Sequence, residues 1–301
     1  MKDRTEQSYQ ERVLRVLVYI QKHLDETIEL DDLARIAHYS PFHFHRLFRG
    51  MVGESVMEHV RRLRLERAAQ RLTFSNQSVT RIAFESGYET HEAFSRAFRT
   101  MFDASPSQFR ETHRAPDFRR APSGVHFVSD GTVESFRAGQ NANALDVRIE
   151  RVAAVRVAFI RHVGAYDQVG MTWGRLMSWA GRRGLLGGRE RPKILGVVHD
   201  DPEVTPPDKL RYDACLAADE TFRAEGEIGL QEIEGGDFAI ATHRGPHDRL
   251  GETYARILGH WLPASGHEPK SAPSVELYPN SPRDTAPPDL VTKIYIPLSD
   301  E

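Results

Sequence analysis

Along residues 8–113, apolar positions recur at the three-to-four spacing of helices. Val13, Val16, Leu17, Ile20 and Leu24 share one side of a first helix over about 8–24. Phe44, Leu47, Phe48 and Met51 line the inner side of another, opened by Ser40-Pro41, a helix-start signal. Phe94, Ala97, Phe98 and Met101 repeat that stripe behind the cap residue Thr90. Between the two, residues 54–73 contain neither proline nor glycine and predict one continuous helix, about 30 Å long at 1.5 Å per residue. The pattern changes at 114–145, where Pro116, Pro122, Gly124, Gly131 and Gly139 predict a linker. Within it, 125–128 and 132–136 alternate around Asp130-Gly131 and predict a short hairpin. Residues 146–301 mix alternating strand segments with two amphipathic helices, near 167–183 and 248–261.

Both structured parts contain an internal repeat. Leu33-Ala34, Ala37 and Tyr39 match Ile82-Ala83, Ser86 and Tyr88 at an offset of 49, and Arg46, Phe48 and Arg49 match Arg96, Phe98 and Arg99 at 50. Each copy reads as helix, tight turn, helix, over about 31–52 and 78–102. In the last part, His162, Gly164, Asp167, Gly170, Thr172 and Arg175 recur as His243, Gly245, Asp248, Gly251, Thr253 and Arg256, an offset of 81. The fold class expected is therefore multidomain: an all-α double helix-turn-helix unit, then an α+β unit of two strand-helix-strand-strand repeats on an antiparallel sheet.

Composition is that of ordinary globular protein, 40% hydrophobic and 28% charged. No apolar run reaches bilayer-spanning length, and the polar start lacks a signal-peptide core, so the expected location is the cytoplasm. A lone Cys215 excludes an intrachain disulfide framework. The formal net charge of −3 hides an asymmetry: residues 1–114 hold 18 Lys and Arg against 16 Asp and Glu, and 16 of those bases are arginine. Arginine is the side chain suited to bidentate phosphate and guanine contacts.

Where those arginines sit matters more than their number. On the side opposite the apolar stripe, the first unit places Phe42, His45, Arg46 and Arg49, and the second places His91, Glu92, Ser95, Arg96 and Arg99. Two such outward faces, joined by a rod about as long as the 34 Å between successive major grooves, suit one DNA duplex. Residues 8–113 resemble the AraC/XylS-type DNA-binding domain. The resemblance lies in Leu33 to Ser40 and Phe44 to Arg49, and more specifically in Ile82 to Thr90, Phe94 to Arg99, Phe102, Pro106, Phe109 and Arg110. It implies base reading by Phe42, His45 and Arg46 and by His91, Glu92, Ser95 and Arg96. Arg49 and Arg99, a turn further on, are expected on phosphates. Glu92 either accepts from a cytosine amine or orients Arg96.

In the C-terminal part, Glu276 and Tyr278 alternate with Val275 and Leu277 and so point to one side of their strand. At the offset of 81 their counterparts are the apolar Leu195 and Val197. An acid and a phenol in one half only suggest a site at the junction of the repeats, with Tyr166, Trp173, Tyr212, Tyr254 and Trp261 as neighbouring aromatics. A carboxylate among aromatic faces favours a cationic or amphipathic small molecule. Residues 146–301 resemble the GyrI-like effector-binding domain through Arg161 to Tyr166, the helix around Trp173, Val275 to Tyr278 and Ile294 to Leu298. The resemblance, to the Rob-like subgroup when both parts are taken together, implies that Glu276 faces a ligand groove.

The expected protein is a transcription regulator whose partners are double-stranded DNA, a small effector and RNA polymerase, with no membrane partner, cofactor, metal or catalytic residue. Two alternatives stay open: a DNA-binding module fused to a small-molecule hydrolase acting through Glu276, and a constitutive DNA-binding protein whose last domain binds protein. His91-Glu92 lacks the second histidine of a zinc-protease helix, His43 and His45 point to different helix faces, and no phosphate-binding glycine loop occurs.

Overall fold

In the computed structural model, residues 2–112, 118, 121–138, 145–187, 192–220 and 222–299 are described. They form two compact units, one of Glu6–Gln140 and one built on Asn141–Glu301.

The first unit is helical: α1 (Lys2–Lys22), α2 (Leu30–Ala37), α3 (Pro41–Val52), α4 (Val56–Phe74), α5 (Val79–Glu85), α6 (His91–Phe102) and α7 (Pro106–Thr112). Its two helix pairs turn on left-handed residues at matching positions, His38 (φ 58°) and Gly87 (φ 80°). Glu29 stands at the α2 N-cap, and Asp31 and Asp32 lie in the first turn, where they favour the helix dipole. Thr90 caps α6 by accepting from Ala93 N at 3.1 Å. Helix α4 starts with a capping box: Ser55 Oγ accepts from Glu58 N at 3.2 Å, and Glu58 accepts from Ser55 N at 2.8 Å. Phe44, Leu47, Phe48, Phe94 and Phe98 are buried, as their spacing requires.

The expected 125–136 hairpin does not form. Asp130-Gly131 does turn, with Gly131 at φ 72°, but no strand appears among the described residues 121–138. The backbone groups that a ladder would have used go to helix side chains instead: Phe127 N–H to Glu66 at 2.8 Å and His126 C=O to Gln21 at 2.6 Å.

The second unit is one antiparallel sheet of eight strands in the order β1-β6-β8-β7-β3-β4-β2-β5. The strands are β1 (Val147–Val152), β2 (Val155–Val163), β3 (Ile194–Val198), β4 (Arg211–Ala217), β5 (Gly229–Ile233), β6 (Gly236–Arg244), β7 (Ser274–Leu277) and β8 (Val291–Pro297). Helix α8 (Val169–Arg182) serves the first repeat. In the second, α9 (Leu250–Arg256) runs through a π-helical turn, Ile257–Trp261, into α10 (Leu262–Ser265). That turn comes just before Pro263, which supplies no N–H to a regular helical ladder.

Two corrections to the repeat follow. Each repeat has an additional leading strand, β1 or β5, and the two are exchanged: β1 pairs with β6 of the second repeat, and β5 with β2 of the first. Four of the six β1 residues are exposed, so this edge strand carries no apolar face for periodicity to reveal. The offset also falls from 81 to 80 after the helices. Gly164 N–H bonds Leu210 C=O and Gly245 N–H bonds Leu290 C=O, both at 2.9 Å, pairing glycines 81 apart with leucines 80 apart. The counterparts of Glu276 and Tyr278 are therefore Gly196 and Val198, not Leu195 and Val197, because a one-residue slip moves every side chain to the other face.

Candidate functional site

The two helices expected to read DNA present themselves differently. In α6, His91, Glu92, Arg96 and Arg99 are exposed and Ser95 is half-buried, while Phe94 and Phe98 point inward. In α3, Arg49 is exposed and Phe42 half-buried, but His45 and Arg46 are 2% and 7% exposed. The expectation that all four side chains of the first helix face solvent is corrected for these two. Arg46 folds back so that its guanidinium carbon lies 4.7 Å from the Phe42 ring centre, a cation–π contact. Nine of the twelve α3 residues are buried against two of twelve in α6, so only α6 offers an open basic face in this state.

The expected site residue Glu276 sits on the local twofold axis of the sheet. β3 and β7 pair there, with Gly196 directly opposite Glu276. Glu276 is 4% exposed. Tyr254 Oη donates to its Oε1 at 2.9 Å, and Tyr278 Oη donates to its Oε2. Because the Tyr278 O–H hydrogen is directed at the carboxylate, its oxygen is left to accept from Tyr212 Oη, 2.8 Å away. Trp173 stands edge-on to Tyr212, with ring centres 6.3 Å apart. The donors thus line up as Tyr212, Tyr278 and finally Glu276.

Burial, and then the negative charge of Glu276, hold the Tyr212 and Tyr278 phenols well above their ordinary pKa of 10. Both remain donors at neutral pH. Trp173 packs edge-on to Tyr278, with ring centres 5.8 Å apart, and Tyr166 lies 6.0 Å from Tyr212. A carboxylate beside ring faces has the chemistry that attracts a cation. Trp261 lies in the π-helical turn and, among the described residues, makes none of these ring contacts.

Sequence reasoning missed two members of the site. A Cβ at Gly196 would overlap the Tyr212 hydroxyl, so glycine is what lets that phenol reach Tyr278. His247 lies 5.5 Å from Tyr278, and burial lowers its pKa. Its buried Nε2 has no hydrogen-bond partner among the described residues. The offset of 81 maps His247 onto Tyr166, and that was the available signal. The repeated histidines serve the scaffold, since His162 and His243 each tie a strand end to a helix through Thr172 (3.2 Å) and Thr253 (2.7 Å).

Comparison with known proteins places this geometry. Residues 145–299 match the GyrI-like small-molecule-binding domain, and residues 33–112 match a helix-turn-helix domain. The chain belongs to the GyrI-like family. This GyrI-like protein carries an AraC-type helix-turn-helix domain ahead of the family module. It is 31% identical over 157 residues to the probable transcriptional regulator YgiV of Escherichia coli (strain K12), covering 52% of this chain and 97% of that protein. It is 32% identical over 103 residues to the regulatory protein SoxS of Salmonella typhimurium, covering 34% of this chain and 96% of that protein. Among solved structures, a hydrolase from Listeria innocua aligns at 14% identity and a TM-score of 0.41, over 53% of this chain and 94% of that one.

Proposed function

We propose that this GyrI-like protein is a transcription regulator that reads double-stranded DNA through α3 and α6 and takes a small cationic or amphipathic effector at Glu276. The observation that carries the reading is the duplicated helix-turn-helix with the open α6 face, on the same chain as a buried carboxylate caged by aromatics. Arg96 and Arg46 are assigned to base edges, with Phe42, His45, His91, Glu92 and Ser95 beside them, and Arg49 and Arg99 are assigned to phosphates. Arg46 must leave the Phe42 ring to do so. Helix α4, 19 residues long and therefore about 28 Å, sets the span between the heads close to one 34 Å duplex pitch.

In the groove, Glu276 supplies the charge, Tyr254 and Tyr278 orient it, and Trp173, Tyr166 and Tyr212 supply ring faces. Trp261 is a candidate contributor from the π turn. Occupation of the groove alters DNA affinity or contact with RNA polymerase. The expected location is the cytoplasm; among the described residues no helix is long and apolar enough to cross a membrane.

The test begins with genomic fragments retained by the full chain. Affinity for them is then measured with and without benzyltrimethylammonium, a minimal aromatic cation. Sequence-selective retention together with a cation-dependent change in DNA affinity or transcript output supports the reading; retention of no specific fragment overturns it. A second reading, hydrolysis, is favoured by the donor chain ending on Glu276. It requires ester or amide turnover by the full chain that Glu276→Gln abolishes.

A further inference from the structure

Phe118 and residues 122–128 touch the end of α6, the cap of α3, and helices α1 and α4. Phe118 packs 6.5 Å from Phe102 at the end of α6 and stacks on His126 at 5.5 Å and 22°. Pro122 fills the space that a side chain at Gly53 would need; a Cβ there would lie 2.7 Å from the proline ring. Gly53 is the left-handed C-cap of α3, at φ 82°. Farther on, the segment reaches α1 and α4. Gln21 donates to His126 C=O at 2.6 Å and accepts from Val128 N–H at 3.4 Å.

The anchor is Glu66, 1% exposed in the middle of α4. Its carboxylate accepts from Phe127 N–H at 2.8 Å, from His126 Nδ1–H at 3.0 Å and from Arg62 at 2.9 Å. Arg62 also holds Glu54 at 2.6 Å, and Glu54 holds His59 at 2.8 Å. The His59 ring meets Phe48 of α3 edge-on at 5.8 Å. One continuous set of bonds thus runs from the segment, through α4, to the underside of the first reading helix. A buried carboxylate aimed at a linker would be costly unless the linker stayed in place to satisfy it.

We propose that Phe118 and residues 121–128 are a strap that fixes the two reading helices relative to each other, with Glu66 as its positioning residue. The strap grips the α6 end, the α3 cap and the rod between them.

The proposal rests on the DNA reading above only for its second measurement. In the first, spin labels are placed at Arg49→Cys and Arg99→Cys in the full chain; buried Cys215, its thiol pKa raised by burial, stays unlabelled. Glu66→Gln and Pro122→Gly are each expected to widen the label–label distance distribution roughly twofold, as a two-conformer element does when released. Pro122 is exposed, so the second variant removes its contact with Gly53 without emptying the core. In the second measurement, a retained fragment receives one extra base pair between the two contacted segments. Native protein is expected to lose about tenfold in affinity, and both variants less than about threefold. Native distance widths in both folded variants, or an undiminished penalty for the inserted pair, would overturn the strap. Absence of any retained fragment would count against DNA reading and leave the label result to decide.

Discussion

Gly196 and Glu276 face each other across the β3–β7 ladder, and each is the other's counterpart in the duplicated unit. Duplication gave both repeats the same position on the axis. One copy now holds a carboxylate, and the other holds no side chain at all, which leaves room for Tyr212.

That relationship predicts the effect of Gly196→Ala. The added methyl meets the Tyr212 hydroxyl, so the variant should lose about 1–3 kcal/mol of stability by overpacking. Adding Tyr212→Phe removes the nearest clashing atom but keeps the ring carbons at 2.6 and 2.8 Å, so it should recover only part of the loss. Thermal unfolding of the two single variants and the double variant measures the coupling; strictly additive effects would refute the clash.

Glu276→Gln keeps the shape of the side chain and deletes its charge. Affinity for benzyltrimethylammonium should fall about ten- to a hundredfold, the worth of a charge-assisted contact. Titration calorimetry at constant pH reads this directly, and equal affinity in both proteins would move the cation site elsewhere.

The unequal exposure of α3 and α6 separates two arginines that sequence treats alike. Arg96→Ala should cost about 1–3 kcal/mol in specific binding and relax base preference at its position. Arg46→Ala should cost less, because native binding must first lift Arg46 from Phe42. Arg99→Ala should weaken all sequences alike and reduce the salt slope by about one. Competition binding across a set of single-base variants distinguishes the three outcomes.

The helical unit should also be sensitive to acid. Burial works to raise the Glu54 pKa, but hydrogen bonds from His59 and Arg62 bring it down from 4.5 to about 2. The folded pKa lies below the unfolded one, so the stabilisation is fully present above pH 4.5 and is lost as pH falls toward 2, in all about 3 kcal/mol. His59, lowered by burial, adds a loss that begins below pH 6.5, where the unfolded chain takes up a proton first. Glu54→Gln should flatten the lower part of the stability–pH curve measured by urea unfolding.

The helices were legible through their apolar stripes, and α3 and α6 also through their start signals; Phe94 and Phe98 behind Thr90 are the clearest case. The pairing of Glu276 with Tyr278 was legible, because their alternation survives any error in the offset. Their true counterparts were not, because a single residue lost between the helices and the third strands moves the comparison from Gly196 to Leu195 without leaving a gap signal. The 125–128 segment alternates as a strand does, yet its hydrogen bonds go to Glu66 and Gln21, and no local pattern distinguishes a helix side chain from a neighbouring strand as the partner. The burial of Arg46 was equally hidden, since an arginine among aromatics reads the same whether it reaches out or folds back.

The exchanged leading strands interlock the two halves of the effector module. Peeling either half away would tear β1 from β6 and β5 from β2 at opposite edges while also splitting β3 from β7 at the centre. The repeats therefore cannot hinge apart like the shells of a clam to admit a guest. Entry has to come from movement of the helices and loops over an unbroken floor, and the module should melt in a single cooperative step.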